Sequence, residues 1–439
     1  MGLSYTAAAL ADARFQNIPI PRREILAALV DDRDPREAAQ LRECAARLVA
    51  IYHFEFHAEL EGLKRGYAPF NPDLERRTPI DGSAGAAAPS FTERLRSVLE
   101  RGNYERLTDD DVAHSFASRS LFPIKVIVDT AVYEDFVIYA RGESLRTSEV
   151  PRWYGLSRKT IEVPTFDRVC VYIRFKTAAQ LELPDTKLAK QPFSPGTSVL
   201  KLFRNIPKAD LEMLFPNCRL TMRPIDKLLF GVPALLGGVP VLVKLVPAAF
   251  ALGIVLGLRS GGIDEQAIVT GITGLAVLGG YLFRQWSKFK NRRVKFVKVL
   301  SENLYFRNLD SNEGVLTRLI DEAEEEEGKE ALLAYVLAQR ARDGLTVGEL
   351  DAQVEDWLAE KFELQTNFEI GDALVKLETL GLIERKDDRI VAGPPAETLL
   401  QLETRWNALV PADTLAPAHV SIPRNDRLGD IARQAQLGL

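Results

Sequence analysis

Between Leu228 and Trp286 the chain carries almost no charge, and no other feature restricts its folding as much. From Leu228 to Leu258 the only charged side chain is Lys244, and from Gln266 to Phe283 there is none. A helix needs roughly 20 mainly apolar residues to cross about 30 Å of hydrocarbon. Val239–Leu258 and Ala267–Trp286 each supply that length, joined by Arg259-Ser-Gly-Gly-Ile-Asp-Glu265. The pattern predicts a two-helix transmembrane hairpin. Pro233, Pro240 and Pro247 each remove a backbone donor, so Leu228–Gly238 reads as an interfacial lead-in rather than the start of one straight helix.

Lys and Arg close to a span mark its cytoplasmic side. Arg219, Arg223 and Lys227 precede the hairpin; Arg284, Lys288, Lys290, Arg292, Arg293, Lys295 and Lys298 follow it; its loop holds Arg259 alone. Ten against one predicts a multi-pass membrane protein with both termini cytoplasmic. Lys244 can snorkel to the headgroups. The run Arg284–Lys298, free of acidic residues, is expected against anionic headgroups, which makes membrane lipids a partner. Gly253 and Gly257 in the first span, and Gly274 and Gly280 in the second, with Thr270 and Ala276, form small-residue stripes suited to close helix packing. The stripes would meet within one chain, or between chains in a homo-oligomer.

A chain of 439 residues leaves room for further domains beside the hairpin. Net charge is −5, so no whole-chain field draws it to nucleic acid. Cys44, Cys170 and Cys218 stand apart without a Cys-x-x-Cys, which fits a reducing compartment and argues against a disulfide scaffold or zinc ribbon. No apolar run precedes the first charges, so the hairpin itself is expected to direct insertion.

Residues 1–80 read as helical. Pro35 suits a helix start, and Leu41, Ala45, Leu48, Tyr52, Phe56, Leu60 and Leu63 recur at steps of three or four. His53 and His57 are spaced i, i+4 on that helix, which puts both imidazoles on one face as a helical zinc site requires. The pattern lacks a third ligand, and packing or hydrogen bonding is the better explanation of it. Residues 81–90, rich in Gly, Ala and Ser, read as a linker.

Residues 91–215 read as an antiparallel α+β domain. Thr108 with Asp109, Asp110 and Asp111 opens a short helix; Lys125–Val128, Asp135–Ala140, Thr160–Val163 and Ser198–Phe203 carry strand signals. In Asp167–Lys176, Val169, Val171, Ile173 and Phe175 alternate with Arg168, Tyr172, Arg174 and Lys176. A period of two predicts one buried and one wet face. Pro207–Leu214 is expected to be helical.

The hairpin and its basic flanks take residues 216–298, and 299–327 form an acidic helical connector whose run Asp321–Glu327 reads as a solvated face. Residues 328–410 have a winged-helix-like pattern: helices over Lys329–Arg342, Val347–Phe362 and Glu369–Leu380, then Leu382–Arg385 and Arg389–Ala392 around an Asp387-Asp388 turn, then a helix from Pro394. This segment holds nine basic and sixteen acidic residues, net −7, which should repel duplex DNA. Residues 411–439 form a polar tail. The fold class expected is thus α+β: a helical N-terminal region, an antiparallel α+β domain, a two-helix transmembrane hairpin and a C-terminal winged-helix-like domain.

Leu200-Lys-Leu-Phe-Arg-Asn-Ile-Pro-Lys-Ala-Asp-Leu-Glu-Met-Leu-Phe-Pro216, Tyr67-Ala-Pro-Phe-Asn-Pro-Asp73, Arg152-Trp-Tyr-Gly-Leu156 and Tyr305-Phe-Arg-Asn-Leu-Asp-Ser-Asn-Glu-Gly-Val-Leu316 resemble the family of transmembrane protein 143, the domain of unknown function 3754. The resemblance implies a membrane protein of bacteria, mitochondria or plastids with no assigned activity and no catalytic residues to carry over. With no long N-terminal presequence, the expectation is a bacterial member, in the inner membrane.

There is no phosphate-binding Gly-x-x-x-x-Gly-Lys-Ser/Thr loop, no Gly-x-Ser-x-Gly elbow and no kinase signature. No cofactor is implied. Three function classes remain. The first is a membrane-anchored cytoplasmic interaction or scaffolding module that docks a protein partner through its C-terminal domain. The others are a metal-dependent or lipid-modifying enzyme using the N-terminal helix, and a membrane-tethered nucleic-acid binder.

Overall fold

The computed structural model describes residues 17–74, 84–108, 111–112, 125–128, 130–152, 157–182, 184, 193–216, 219–221, 304–341, 343–368 and 370–409, with scattered positions between 269 and 302. The chain divides into two compact units. Unit 1 takes Met1–Pro21, Phe56–Lys329 and Val354–Glu369; unit 2 takes Arg22–Glu55, Glu330–Gln353 and Ile370–Leu439.

Unit 1 is built on an antiparallel five-stranded sheet of order β1-β3-β4-β5-β7. Its strands are β1 (Glu105–Arg106), β3 (Tyr133–Arg152), β4 (Ser157–Phe175), β5 (Ser198–Pro207) and β7 (Asn308–Ser311). β2 (Lys125–Ile127) and β6 (Arg219–Thr221) form a separate pair. β3 and β4 form one long hairpin, in register from Phe136↔Ile173 through Tyr139↔Cys170 to Arg152↔Ser157. The strand signals at Thr160–Val163 and Asp167–Lys176 therefore belong to a single strand. Pro164 interrupts neither, because β4 pairs with β5 only from Thr165 onward and its missing N–H leaves no bond unmade on that side. One sheet face carries Ile138, Val169, Val171, Ile173 and Phe175 into a core with Phe203, Ile206 and Phe215.

The other face is not wet. Tyr172 is buried, with Phe91 set edge-on at 5.5 Å between ring centroids. Phe91 belongs to α3 (Ala84–Arg101), which starts inside the stretch read as a linker; alanine is the best helix former, so small residues suit a helix as readily as a linker. α2 (Pro35–Tyr67) buries the whole stripe from Leu41 to Leu63. The acidic connector and the next expected helix are one element, α4 (Glu313–Arg340). The segment Pro207–Leu214 is a 3-10 helix over Lys208–Leu214.

Unit 2 contains α1 (Arg22–Val30), parts of α2 and α4, α6 (Ile370–Thr379), the hairpin of β8 (Ile383–Lys386) and β9 (Arg389–Ala392), and α7 (Pro395–Leu409). The helix α5 (Val347–Phe362) divides between the units. Tyr335 Oη donates to Thr398 Oγ1 at 2.9 Å, Arg340 Nη2 to the Leu29 carbonyl at 3.1 Å and the Cys44 thiol to the Pro395 carbonyl at 3.3 Å. Leu345 bridges to Ile390, and Gly344 at φ +71° lies so close that a Cβ there would stand 2.9 Å from the Ile390 oxygen.

The expected transmembrane hairpin is corrected. Among the described residues no helix is long and apolar enough to cross a membrane. The long helices, α2 of 33 residues and α4 of 28, have length without an unbroken apolar surface, since each carries charged side chains along one side of a buried stripe. The mixed helix and antiparallel sheet architecture stands, while the membrane spans, the multi-pass localisation, the cytoplasmic placement of both termini and the bacterial inner-membrane assignment, which all depended on the hairpin, do not. Absence of charge over some twenty residues is a necessary condition for a span, and a helix apolar on all sides meets it equally when enclosed by protein. Of Val239–Leu258 and Ala267–Trp286, only Val269, Gly280, Phe283 and Arg284 are among the described residues.

Candidate functional site

Several elements of unit 1 converge on one cleft of about 1020 Å³. β3 supplies Arg141 and Arg146, β4 supplies Asp167 and Arg168, β5 supplies Asn205 and β7 supplies Asp310. From α4 come Gly314, Thr317, Arg318, Asp321, Glu322, Glu325, Glu326 and Lys329. Those α4 positions recur at steps of three and four, so one helical face lines the cleft. The segment Asn17–Pro21 forms one side. Five cations and six carboxylates make up most of the lining.

Glu322 is the hub. Its carboxylate lies 2.8 Å from Arg141 Nη2, 3.3 Å from Arg168 Nε and 3.9 Å from Arg318 Nε. It also accepts from the Tyr104 hydroxyl at 2.5 Å. Arg141 stacks over the Tyr104 ring with its guanidinium carbon 4.9 Å from the centroid, and donates to the Gly102 carbonyl at 3.2 Å. Burial would lower the Arg141 pKa, but Tyr104, Glu322, Glu326 and Asp167 together outweigh it and raise it. Burial pushes the Tyr104 phenol well up. It does the same to the Cys170 thiol, with Glu322 adding to the effect.

Two further pairs border the hub. Arg101 grips Glu327 with two nitrogens, the second at 3.1 Å, and lies over the Phe56 ring at 4.0 Å. Lys329 Nζ donates to Glu326 Oε1 at 2.8 Å, with both side chains no more than 5% exposed. Toward the rim, Asp167 accepts from Ser144 at 2.8 Å and Arg146 at 3.3 Å. Gly142 at φ +68° makes room for it, since a Cβ there would sit 2.7 Å from Asp167 Oδ2. The run Asp321–Glu327 is therefore not a solvated face: Glu326 and Glu327 are buried and Glu322 is largely so.

The residues singled out by sequence lie elsewhere. His53 and His57 are both exposed on α2, and no group of three or more His, Cys, Asp or Glu able to hold a metal occurs among the described residues. Of the basic flank, Arg284 and Lys298 are described, Lys298 lying 3.8 Å from Glu302 in an exposed pair; Lys288, Lys290, Arg292, Arg293 and Lys295 lie outside the described residues. Gly253, Gly257 and Gly274 lie outside them too, and a Cβ at Gly280 would meet nothing within 4 Å. The hub itself had one faint signal, Arg141 directly after the apolar run Phe136–Ala140 and Arg168 directly before the apolar run Val169–Ile173.

Residues 166–314 match a family described as a protein of unknown function (DUF3754). The match takes in Asp167, Arg168, Asn205, Asp310 and Gly314 of the cleft, and supports the resemblance to that domain but not the narrower one to transmembrane protein 143. No solved structure matches the chain.

Proposed function

We propose that this chain, which carries the DUF3754 domain, is a protein-interaction module whose ionic cleft docks a polar, charge-bearing segment of a partner protein. The arrangement about Glu322 supports this reading most, because one carboxylate holds Arg141 and Arg168 in place before any ligand arrives, with Arg318 more loosely paired at its edge. Preorganised guanidinium groups spare a ligand the ordering of long side chains. Small-molecule pockets of about 300–1,000 Å³ are usually lined by apolar and aromatic groups. Here the apolar lining is confined to Ile18, Pro19, Ile20 and Pro21, and the rest is charged or polar apart from Gly314. A lining with both signs selects a segment that carries both.

The test is a photo-cross-linking amino acid at Thr317, in the full chain produced in its native host. We expect discrete protein adducts, reduced several-fold by Asp321→Lys, an exposed position on the same helical face. Adducts no stronger than those from the exposed position Glu384 on β8 would overturn the reading.

A further inference from the structure

One wall of the cleft is a short piece of irregular chain that bends at Ile20. Ile18 donates its N–H to Glu326 Oε2 at 3.2 Å, and its carbonyl accepts from Lys329 Nζ at 2.6 Å. One buried ion pair thus grips both backbone groups of a single residue. The Ile18 side chain is only 1% exposed, whereas Pro19 and Pro21 are exposed. Neither proline has an N–H to contribute, and each biases the isoleucine before it toward extended backbone. Asn17-Ile-Pro-Ile-Pro21 is consequently held by one anchor side chain and one backbone clamp, the way short proline-containing ligands are held in a groove. A buried carboxylate and ammonium need their remaining hydrogen-bonding capacity filled, and the Ile18 backbone bonds both partners at once.

We propose that Asn17–Pro21 is the internal occupant of a subsite in this cleft, and that the partner's charge-bearing segment includes an aliphatic residue followed by proline that takes the place of Ile18-Pro19. That part of the segment displaces the strap from one wall of the cleft, so the subsite at the Glu326–Lys329 pair is closed until a partner competes for it. The inference rests on the interaction-module reading and names the partner and its regulation.

The probe is the capped pentapeptide acetyl-Asn-Ile-Pro-Ile-Pro-amide, added to the full chain, with hydrogen exchange of the Ile18 amide as readout. Saturating peptide should accelerate exchange at Ile18 by about tenfold or more and leave Val171 of β4 unchanged. A fluorescent version should bind the full-length Ile18→Ala variant about tenfold more tightly than the unaltered chain, since a strap closed nine-tenths of the time weakens apparent affinity by that factor. Adding Lys329→Met should abolish the gain. Exchange at Ile18 that ignores the peptide, or equal binding to both proteins, overturns the inference. Adducts at Thr317 that persist in that case leave the docking reading intact and remove only the strap.

Discussion

Arg141 and Glu322 sit 2.8 Å apart, on β3 and α4, with side chains only 11% and 15% exposed. Breaking a buried pair from one side strands the other charge, at a cost of about 3–5 kcal/mol. Glu322→Gln should therefore lower unit 1 stability by about 3 kcal/mol, because three guanidinium groups lose their shared acceptor. Arg318→Ala should cost under about 1 kcal/mol, since Arg318 is 43% exposed and 3.9 Å away. Urea unfolding followed by circular dichroism separates the two, and equal losses would show that Glu322 is not the hub.

Two sequence motifs meet at Asn312. Tyr67 Oη donates to its side-chain oxygen at 3.1 Å, and its side-chain nitrogen donates to Asp73 at 2.5 Å. Asn312 has φ +54° and its own N–H donates to the Leu200 carbonyl at 2.6 Å. Asn312→Ala should cost about 3 kcal/mol, from two hydrogen bonds worth about 1 kcal/mol each and a left-handed backbone that costs alanine about 1 kcal/mol more. Asn312→Gly relieves the backbone part and should lose less. Thermal melts of the two variants in the full chain decide it: a glycine variant less stable than the alanine one would refute the backbone argument.

Local periodicity was legible, and long-range pairing was not. The stripe from Leu41 to Leu63 is a helix face and is buried in full, because an amphipathic pattern is written in neighbouring residues. The β4 alternation announced a strand but gave no sign that α3 would cover its second face with Phe91. Asp321–Glu327 read as solvated because its partners Tyr104, Arg101, Arg141 and Arg168 lie far away in sequence. The nearly charge-free length between Leu228 and Trp286 pointed to a membrane-crossing hairpin that no helix among the described residues supports.

Stability should fall on the alkaline side. Burial, with Glu43 adding, raises the Cys44 thiol from 9.0 to about 11, and burial also raises the phenols of Tyr67, Tyr172 and Tyr335 above 10.0. A group whose folded pKa is raised binds its proton more tightly when folded. The contribution of Cys44 is whole below pH 9.0 and is lost as pH rises through about 11; those of the tyrosines begin to fade above 10.0. Urea midpoints should hold steady up to pH 9.0 and then decline, with phenol ionisation coinciding with unfolding. Free ionisation of Tyr67, Tyr172 and Tyr335 in the folded chain would contradict the burial.

Residues 328–410, at net −7, present Asp372 and Glu378 at exposed positions of α6, and Arg385 already pairs with Glu378 at 3.1 Å. Phosphate contacts dominate duplex binding, so the full chain should not shift random duplex DNA in a gel at physiological salt. Retention there, weakening as salt rises, would restore a nucleic-acid role.

The claim that the ionic cleft docks a partner is tested most directly by the yield of Thr317 adducts as ionic strength is raised. Moving from about 0.1 M to about 1 M salt shortens the screening length from about 10 Å to about 3 Å. The cleft account expects the Thr317 yield to fall several-fold over that range and to respond in the same direction to Asp321→Lys. A yield unaffected by both salt and substitution would contradict it.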